Sequence, residues 1–293
     1  MISQWINKRL KWVFTLPMSV FVLVMMAFPI AYIFSLGFTE WSMSSVKGPQ
    51  WVGLDNYGEL FNDERFWHSV RNTLLFTGSS IVIETVLGVA IAILFFRKFI
   101  GRTVAKTLLI LPMASTPVAM ALVWVLIYEP TIGLANYLLK SLGLSPQLWI
   151  SAKETVIPSL VLIDVWHWTP MVALIVMSGL ASLPSDPYES ALIDGASPWQ
   201  QFTNITFPLL LPTIIVAVML RLIDLLKEFD MIYVTTKGGP NNASETLNLY
   251  GFVLSFQYFK MGLASALLFI FVAVVVIAVL VGVMLRSRRE GRQ

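Results

Sequence analysis

The chain has 293 residues, of which 57% are apolar and only 13% are charged, and its mean hydropathy is +0.75. Soluble domains carry about 25% charged residues, so this composition argues against a soluble enzyme. The absence of cysteine excludes disulfides and thiolate chemistry, and two histidines are too few for a histidine-rich zinc site. The net charge of +3 comes from residues placed between long apolar runs, which favours membrane topology over nucleic-acid binding.

Six apolar runs are long enough to cross a bilayer as helices. About 20 residues, each rising ~1.5 Å, cross a hydrocarbon core of ~30 Å. The apolar residues do not alternate as a membrane β-barrel requires, so we predict an all-α polytopic membrane protein with six transmembrane helices. The predicted spans are 12–37, 72–96, 107–128, 156–180, 207–232 and 261–285. The first run is too long for the apolar region of a signal peptide, and we expect it to be a retained span.

Basic residues indicate the orientation, because cytoplasmic segments of membrane proteins are enriched in lysine and arginine. They are concentrated in the N-terminal segment, the loop after the second span and the C-terminal tail: Lys8, Arg9, Lys11, Arg97, Lys98, Arg102, Lys106, Arg286, Arg288, Arg289 and Arg292. Both termini are therefore expected in the cytoplasm. The loop 181–206 would face the same side although it contains no lysine or arginine, and this departure suggests a functional role.

Two short helices are predicted in the loop 181–206. Asp186 can cap the first, and Gly195 can end it by adopting a positive φ. Ser197 can cap the second, with Gln200 three residues later as in a capping box. One interpretation is an amphipathic segment on lipid headgroups. However, lipid-surface helices are usually rich in lysine and arginine, and an acidic helix with small residues is better suited to a basic groove on a protein partner.

The loop and the start of the fifth span share a spaced set of residues: Glu189, Ala191, Asp194, Gly195, Ala196, Phe202, Ile205, Pro208 and Pro212. With this set the segment resembles the EAA loop of permease subunits of binding-protein-dependent ABC importers, with Ser190 at one alanine position. The segments WVGLDNYGELF at 51–61 and FDMIYVTTKGGP at 229–240 are similar to carbohydrate-uptake permeases of family 1, the maltose- and glycerol-phosphate-transporter-like group.

The resemblance implies that residues 1–293 form a single permease domain in which 181–206 is the coupling loop. Its first helix would lie in a cleft of a cytoplasmic ATPase. The residues implied at this contact are Tyr188, Glu189, Ala191, Leu192, Asp194, Gly195 and Ala196. The chain has no G-x-x-x-x-G-K-[ST] motif, so ATP and Mg would be bound by the partner ATPase, and no cofactor is expected in this chain.

The resemblance also implies the surroundings of the protein. The expected partners are a second permease subunit of similar fold in a heterodimer, a cytoplasmic ATPase dimer, an extracytoplasmic solute-binding protein and membrane lipid, without nucleic acid. The expected location is the inner (plasma) membrane of a bacterial cell, crossed several times.

Polar side chains in the fourth and fifth spans need an explanation, because a charge at the bilayer centre costs roughly 2.5–3.5 kcal/mol on insertion scales. Charges three residues apart can neutralise each other, as in Arg221–Asp224 and Asp224–Lys227. Alternatively, these spans line a cavity in which carboxylates accept sugar hydroxyls and indole rings stack on the sugar, as the resemblance favours. The substrate-binding residues expected on that basis are Asp164, Trp166, His167, Trp168, Arg221, Asp224, Leu225 and Glu228.

Simpler structural roles are expected for three other residues in the predicted spans. Glu84 in the second span is expected to make an interhelical hydrogen bond. Pro112 and Pro117 are expected to kink the third span, because proline removes a backbone donor.

Two other function classes would require features that can be looked for in the sequence. An intramembrane enzyme would need a motif such as H-E-x-x-H or G-x-S-x-G, and neither occurs. An ion-coupled secondary transporter of a small polar solute would be expected to show inverted repeats and broken helices, and it remains the alternative. We predict a non-enzymatic permease subunit of an ATP-driven importer for a sugar or sugar derivative, forming half of the translocation path.

Overall fold

Helices make up most of residues 2–97 and 99–290, the part of the chain that the computed structural model describes. The long helices are α1 (Ile2–Leu36), α3 (Glu64–Phe96), α4 (Arg102–Ala114), α5 (Pro117–Ile127), α7 (Val156–Ala181), α10 (Phe207–Leu226) and α13 (Met261–Glu290). The short helices are α2 (Asp55–Asn62), α6 (Leu134–Ser141), α8 (Asp186–Ile193), α9 (Pro198–Gln201), α11 (Asp230–Thr236) and α12 (Leu247–Phe252). The strands β1 (Thr39–Glu40) and β2 (Gln50–Trp51) form a small antiparallel pair. Lys98 and Arg292, used above for the orientation, lie outside the described residues.

Five helical segments of the described chain are long and apolar enough to cross a membrane. They are Phe14–Leu36, Glu64–Phe96, Val156–Ala181, Pro198–Leu226 and Met261–Gly282. The pair α4 and α5 passes the same test together, and it gives a sixth span if the pair is counted as one. The predicted all-α polytopic architecture is therefore confirmed.

The predicted third span is divided into two helices. Helices α4 and α5 are bent by 98° at Ser115 and Thr116. Both residues have extended backbone conformations, with ψ of 151° and 144°. Pro117 explains the break, because proline disfavours helical geometry in the preceding residue and begins the next helix without needing an N–H partner. The expected kink is confirmed, although the span is interrupted rather than continuous.

The fifth predicted span begins earlier and ends earlier than expected. Helices α9 and α10 form one continuous segment, Pro198–Leu226, through a π-helical turn at Phe202–Thr206. The turn lies just before Pro208, which has no N–H for the regular i→i−4 bond. Helix α10 ends at Leu226, so the prediction of one helix to residue 232 is wrong, and a separate helix, α11, begins at Asp230.

Contacts divide the chain into two compact units. The first contains residues up to Asp63 together with Gly251–Ala273, and the second contains Glu64–Tyr250 and the residues from Val274 onward. In the first unit, the amide of Asn56 donates to the carbonyl oxygens of Gly37 and Thr39, both at 2.9 Å. Only 6% of the apolar part of α1 is buried, which leaves its surface for lipid or another chain.

Helices α3, α7 and α10 form the core of the second unit. Its buried apolar residues are Ala92, Phe95, Val172, Val176, Met177, Leu180, Leu210, Ile214 and Ala217. Two glycines allow close approach: a Cβ at Gly88 would lie 2.6 Å from Cγ1 of Val172, and a Cβ at Gly179 would lie 2.8 Å from Cγ2 of Thr213. Small residues permit such contacts between membrane helices, and they fix the three helices that carry the intramembrane charges.

The Gly88 contact predicts a stability difference between two glycines of α3. We expect Gly88→Ala to destabilise the folded protein by about 1–3 kcal/mol, because the added methyl group overpacks the contact with Val172. Gly78→Ala is the matched control, since no atom lies within 4 Å of its added Cβ and alanine is the better helix former. The thermal unfolding midpoints of the purified variants measure the difference. Equal midpoints for the two variants would contradict this packing argument.

Candidate functional site

Three charged side chains from α3, α7 and α10 meet inside the second unit. Glu84 accepts two hydrogen bonds from Arg221, at 2.7 Å from Nε and 2.9 Å from Nη2. Asp164 accepts a third bond from Nη2 of Arg221, at 3.0 Å. At most 1% of each residue is exposed. We call Glu84, Asp164 and Arg221 the ion cluster.

The ion cluster ties three predicted spans together. Its members come from the second, fourth and fifth spans, so each hydrogen bond connects two helices. Arginine suits this role because its planar guanidinium offers several donors in a fixed geometry. Removing one partner of a buried ion pair costs about 3–5 kcal/mol, since the remaining charge loses its compensation. The three helices are therefore held together by charge as well as by packing.

The pairing within the fifth span agrees only in part with the sequence prediction. Asp224 and Lys227 form the expected i, i+3 pair, with 3.5 Å between Oδ1 and Nζ. The other possible pairing, Arg221–Asp224, is replaced in the structure, because Arg221 donates to Glu84 and Asp164 on neighbouring helices. The predicted interhelical hydrogen bond of Glu84 is confirmed.

Trp168 connects the ion cluster to a polar cavity. Cζ of Arg221 lies 4.9 Å from the centre of the indole ring, the geometry of a cation–π contact. The half-buried Trp168 also lines a cavity of about 270 Å³. The other lining residues are Pro117, Asp224, Lys227, Glu228, Phe229 and Asp230. We call this space the polar cavity.

The polar cavity gathers three of the eight residues predicted to bind substrate. These are Trp168, Asp224 and Glu228. Phe229 and Asp230 also line it and were missed, although they directly follow Glu228 in the sequence. An indole, a phenyl ring and several carboxylates in one wall provide stacking surfaces and hydrogen-bond acceptors.

Trp166 lies on a different side of α7 from Trp168. Residues two positions apart on a helix are separated by a rotation of about 200°, so the two indoles cannot share a face. The ring of Trp166 packs edge-on against that of Trp124, with 5.6 Å between centroids, and 46% of the residue is exposed. Trp166 lines a mainly apolar cavity of about 890 Å³. The structure does not bring it to the polar cavity.

The other four predicted residues do not line the polar cavity: Asp164, His167, Arg221 and Leu225. His167 is buried with its ring 4.8 Å from that of Trp168, and its Nε2 has no hydrogen-bond partner among the described residues. Leu225 is also buried.

The lining residue Glu228 lies between α10 and α11, where its Oε1 accepts a hydrogen bond from the N–H of Met231 at 3.0 Å. This bond fixes the position of the Glu228 carboxylate.

The first helix of the loop 181–206 is present as α8. It begins at Asp186, with Ser185 at the N-cap position, so the prediction that Asp186 is the cap is wrong by one residue. The predicted capping box of the second helix is confirmed. The N–H of Gln200 donates to Oγ of Ser197 at 3.3 Å, and the N–H of Ser197 donates to Oε1 of Gln200 at 2.8 Å.

The end of α8 is fixed by a Schellman motif. The N–H of Ala196 donates to the carbonyl of Ala191 at 2.9 Å, and the N–H of Gly195 donates to the carbonyl of Leu192 at 3.2 Å. Gly195 has a φ of +72°, which glycine adopts without steric cost. The predicted end of the helix at Gly195 is therefore confirmed.

Helix α8 leaves an acidic and apolar surface exposed. The Tyr188 hydroxyl forms a hydrogen bond with Oγ1 of Thr206 at 3.0 Å, which attaches the helix to the base of the fifth span. Tyr188, Ala191 and Ala196 are half-buried. Four of the exposed residues, Glu189, Leu192, Ile193 and Asp194, combine acidic and apolar side chains. Ile193, which the sequence analysis did not single out, is 87% exposed. We call these four exposed residues the α8 surface.

Comparisons with known sequences place the chain in a family. The family model "Binding-protein-dependent transport system inner membrane component" matches residues 84–290. The trehalose/maltose transport system permease protein MalF of Thermococcus litoralis is 36% identical, over 87% of this chain and 84% of the relative. The trehalose transport system permease protein SugA of Mycobacterium tuberculosis is 33% identical, over 94% of this chain and 88% of the relative.

A solved structure has the same fold. One chain of a bacterial ABC transporter involved in the import of the acidic polysaccharide alginate superposes with a TM-score of 0.84. The match covers 98% of both chains at 24% sequence identity. The family model and the two relatives confirm the resemblance to importer permeases, which are multi-pass proteins of the inner membrane. The chain belongs to the family of binding-protein-dependent transport system inner membrane components.

Proposed function

We propose that this permease imports a sugar or sugar derivative and is driven by a cytoplasmic ATPase that contacts the α8 surface. The observation that carries the proposal is the exposure of Glu189, Leu192 and Ile193 on α8. This helix is hydrogen-bonded to the fifth span through Tyr188, and a Schellman motif closes its C-terminal end. A carboxylate beside exposed aliphatic side chains suits a partner groove that is basic at its rim and apolar at its base. ATP and Mg are bound by that ATPase, and this chain needs no cofactor of its own.

The chemistry of the polar cavity supports a sugar as the substrate. Trp168 and Phe229 offer apolar ring surfaces, and Asp224, Glu228 and Asp230 offer acceptors for hydroxyl groups. The names of two relatives specify trehalose transport, in one case with maltose. At about 270 Å³ the cavity is slightly smaller than the 300–1,000 Å³ usual for ligand pockets. A second permease subunit of similar fold supplies the opposite wall of the path.

The orientation follows from the position of the α8 surface. With α8 in the cytoplasm, both termini are cytoplasmic and the polar cavity, at the other end of α10, opens toward the extracytoplasmic half of the membrane. A solute-binding protein delivers the sugar on that side. Closure of the ATPase shifts the spans between inward-open and outward-open states only if α8 makes different contacts in the two ATPase states. Such differential contact is the role that we assign to the α8 surface.

Purification of the affinity-tagged chain from its native membrane tests the proposed function. We expect a second permease subunit and an ATPase to copurify with it. In proteoliposomes, ATP hydrolysis should rise several-fold when the solute-binding protein and trehalose or maltose are added together. Uptake without any ATPase, driven by an ion gradient, would instead support the ion-coupled secondary transporter.

A further inference from the structure

We propose that Glu84 and Asp164 are positioning residues that act through Arg221 to orient Trp168 in the wall of the polar cavity. The inference rests on the proposed function, because it assigns Trp168 to the sugar-binding surface. It also gives Asp164 a different role from the direct sugar contact expected from the sequence.

Burial keeps the carboxylates of the ion cluster away from substrate. Glu84 is 0% exposed and Asp164 is 1% exposed, and neither lines the polar cavity. Three of their four oxygens already accept hydrogen bonds from Arg221. A sugar hydroxyl that displaced these bonds would leave the buried charge of Arg221 without compensation.

Trp168 is the side chain through which the ion cluster reaches the polar cavity. It contacts the guanidinium of Arg221 at 4.9 Å and also lines the cavity. The two hydrogen bonds that Arg221 donates to Glu84 fix the plane of the guanidinium, since they engage Nε and Nη2 together. Asp164 holds Nη2 from a second helix. A guanidinium fixed in this way restricts the indole that contacts it.

The proposal makes Glu84 important for sugar affinity although it never touches sugar. Glutamine at this position has one acceptor oxygen, and its NH₂ group cannot accept from Arg221. Glu84→Gln therefore releases the guanidinium plane while Asp164 still balances the charge of Arg221. We expect the half-saturation concentration for sugar uptake to rise about three- to ten-fold, the size of a lost cation–π restraint, with little change in the maximal rate.

A double-mutant cycle between Glu84→Gln and Trp168→Ala tests this inference. The half-saturation concentration is measured for radiolabelled trehalose uptake into proteoliposomes that contain the complete transporter. If Glu84 acts through Trp168, the increase caused by Glu84→Gln disappears in the Trp168→Ala background. Trp168→Phe, which retains an aromatic ring, should restore part of the affinity lost in Trp168→Ala.

Control variants identify a merely structural effect. Glu154→Gln removes an exposed carboxylate outside the ion cluster and should leave uptake unchanged. A second double-mutant cycle, between Asp164→Asn and Trp168→Ala, tests the same coupling in case Glu84→Gln reduces the yield of folded protein. An equal effect of Glu84→Gln with and without Trp168, or no effect in either background, would overturn the proposal.

Fluorine NMR of protein labelled with 5-fluorotryptophan gives a readout that does not depend on sugar. The resonance of Trp168 is identified by its loss in Trp168→Phe. It should shift in Glu84→Gln and Asp164→Asn but stay in place in Glu154→Gln. An unchanged resonance would overturn the positioning role. Absence of trehalose and maltose uptake by the unaltered transporter, with the expected resonance shifts, would instead count against the proposed sugar specificity.

Discussion

Replacement of Arg221 by methionine is expected to abolish accumulation of the folded permease. The substitution leaves Glu84 and Asp164 facing each other in a buried site without a cation. Loss of one partner from a buried ion cluster costs about 3–5 kcal/mol, a large part of the 5–15 kcal/mol that stabilises a typical domain. Size-exclusion chromatography of a fluorescently tagged protein measures the amount of folded, monodisperse permease.

Two further variants separate the charge effect from loss of the side chain itself. Lys227→Met removes the cation of the more exposed pair with Asp224, where an ion pair is worth about 0–1 kcal/mol, and should fold normally. The triple variant Glu84→Gln, Asp164→Asn, Arg221→Met should recover much of the yield, since it removes both uncompensated carboxylates. Normal accumulation of Arg221→Met alone would contradict the view that the ion cluster holds the three spans together.

Short-range patterns in the sequence were sufficient to predict the all-α architecture and the two short helices of the loop 181–206. The length of the apolar runs predicted the spans, because bilayer thickness fixes the length of helix that is needed. Gly195 and the pair Ser197–Gln200 predicted a helix end and a capping box, since both depend on residues close together in the chain. Pro112 and Pro117 likewise predicted a kink in the third span, although the structure shows a break into α4 and α5.

The ion cluster could not be predicted in the same way, because its members are far apart in the sequence. Arg221 lies 137 residues from Glu84 and 57 residues from Asp164. Within α10, Arg221 and Asp224 have the spacing of a favourable pair, and only the packing of α3 and α7 shows that other carboxylates are nearer.

The separation of Trp166 from Trp168 has a simpler origin. Either indole was expected to stack on sugar because of the residue types in the fourth span and the family resemblance, without attention to the rotation of about 200° between the two positions on a helix. Helical geometry alone would have assigned the two rings to different surfaces. The grouping of Trp168 with Glu228 and Phe229 needed the structure, because it depends on the end of α10 at Leu226.

Reversal of the charge at Glu189 is expected to stop transport while leaving the membrane part of the complex intact. Glu189 is exposed in the first half of α8, so lysine creates no steric conflict within this chain. Opposing like charges at an interface costs several kcal/mol, and we expect Glu189→Lys to weaken ATPase binding about 100-fold, at about 1.4 kcal/mol per factor of ten. Retention of the ATPase on the tagged membrane subunits and ATP-driven sugar uptake should both be lost.

The charge of Glu189 also affects the stability of α8, and this smaller effect has to be distinguished from the effect on ATPase docking. An acidic residue near a helix N-terminus stabilises that helix by about 0.3–1 kcal/mol, which Glu189→Gln and Glu189→Lys both remove. Only the lysine variant adds repulsion, so Glu189→Gln should keep a large part of ATPase binding. Glu154→Lys makes the same charge reversal at an exposed residue just before α7 and should transport normally. Full ATPase retention and uptake in Glu189→Lys would show that the ATPase docks elsewhere, because a charge reversal within a basic contact must weaken it.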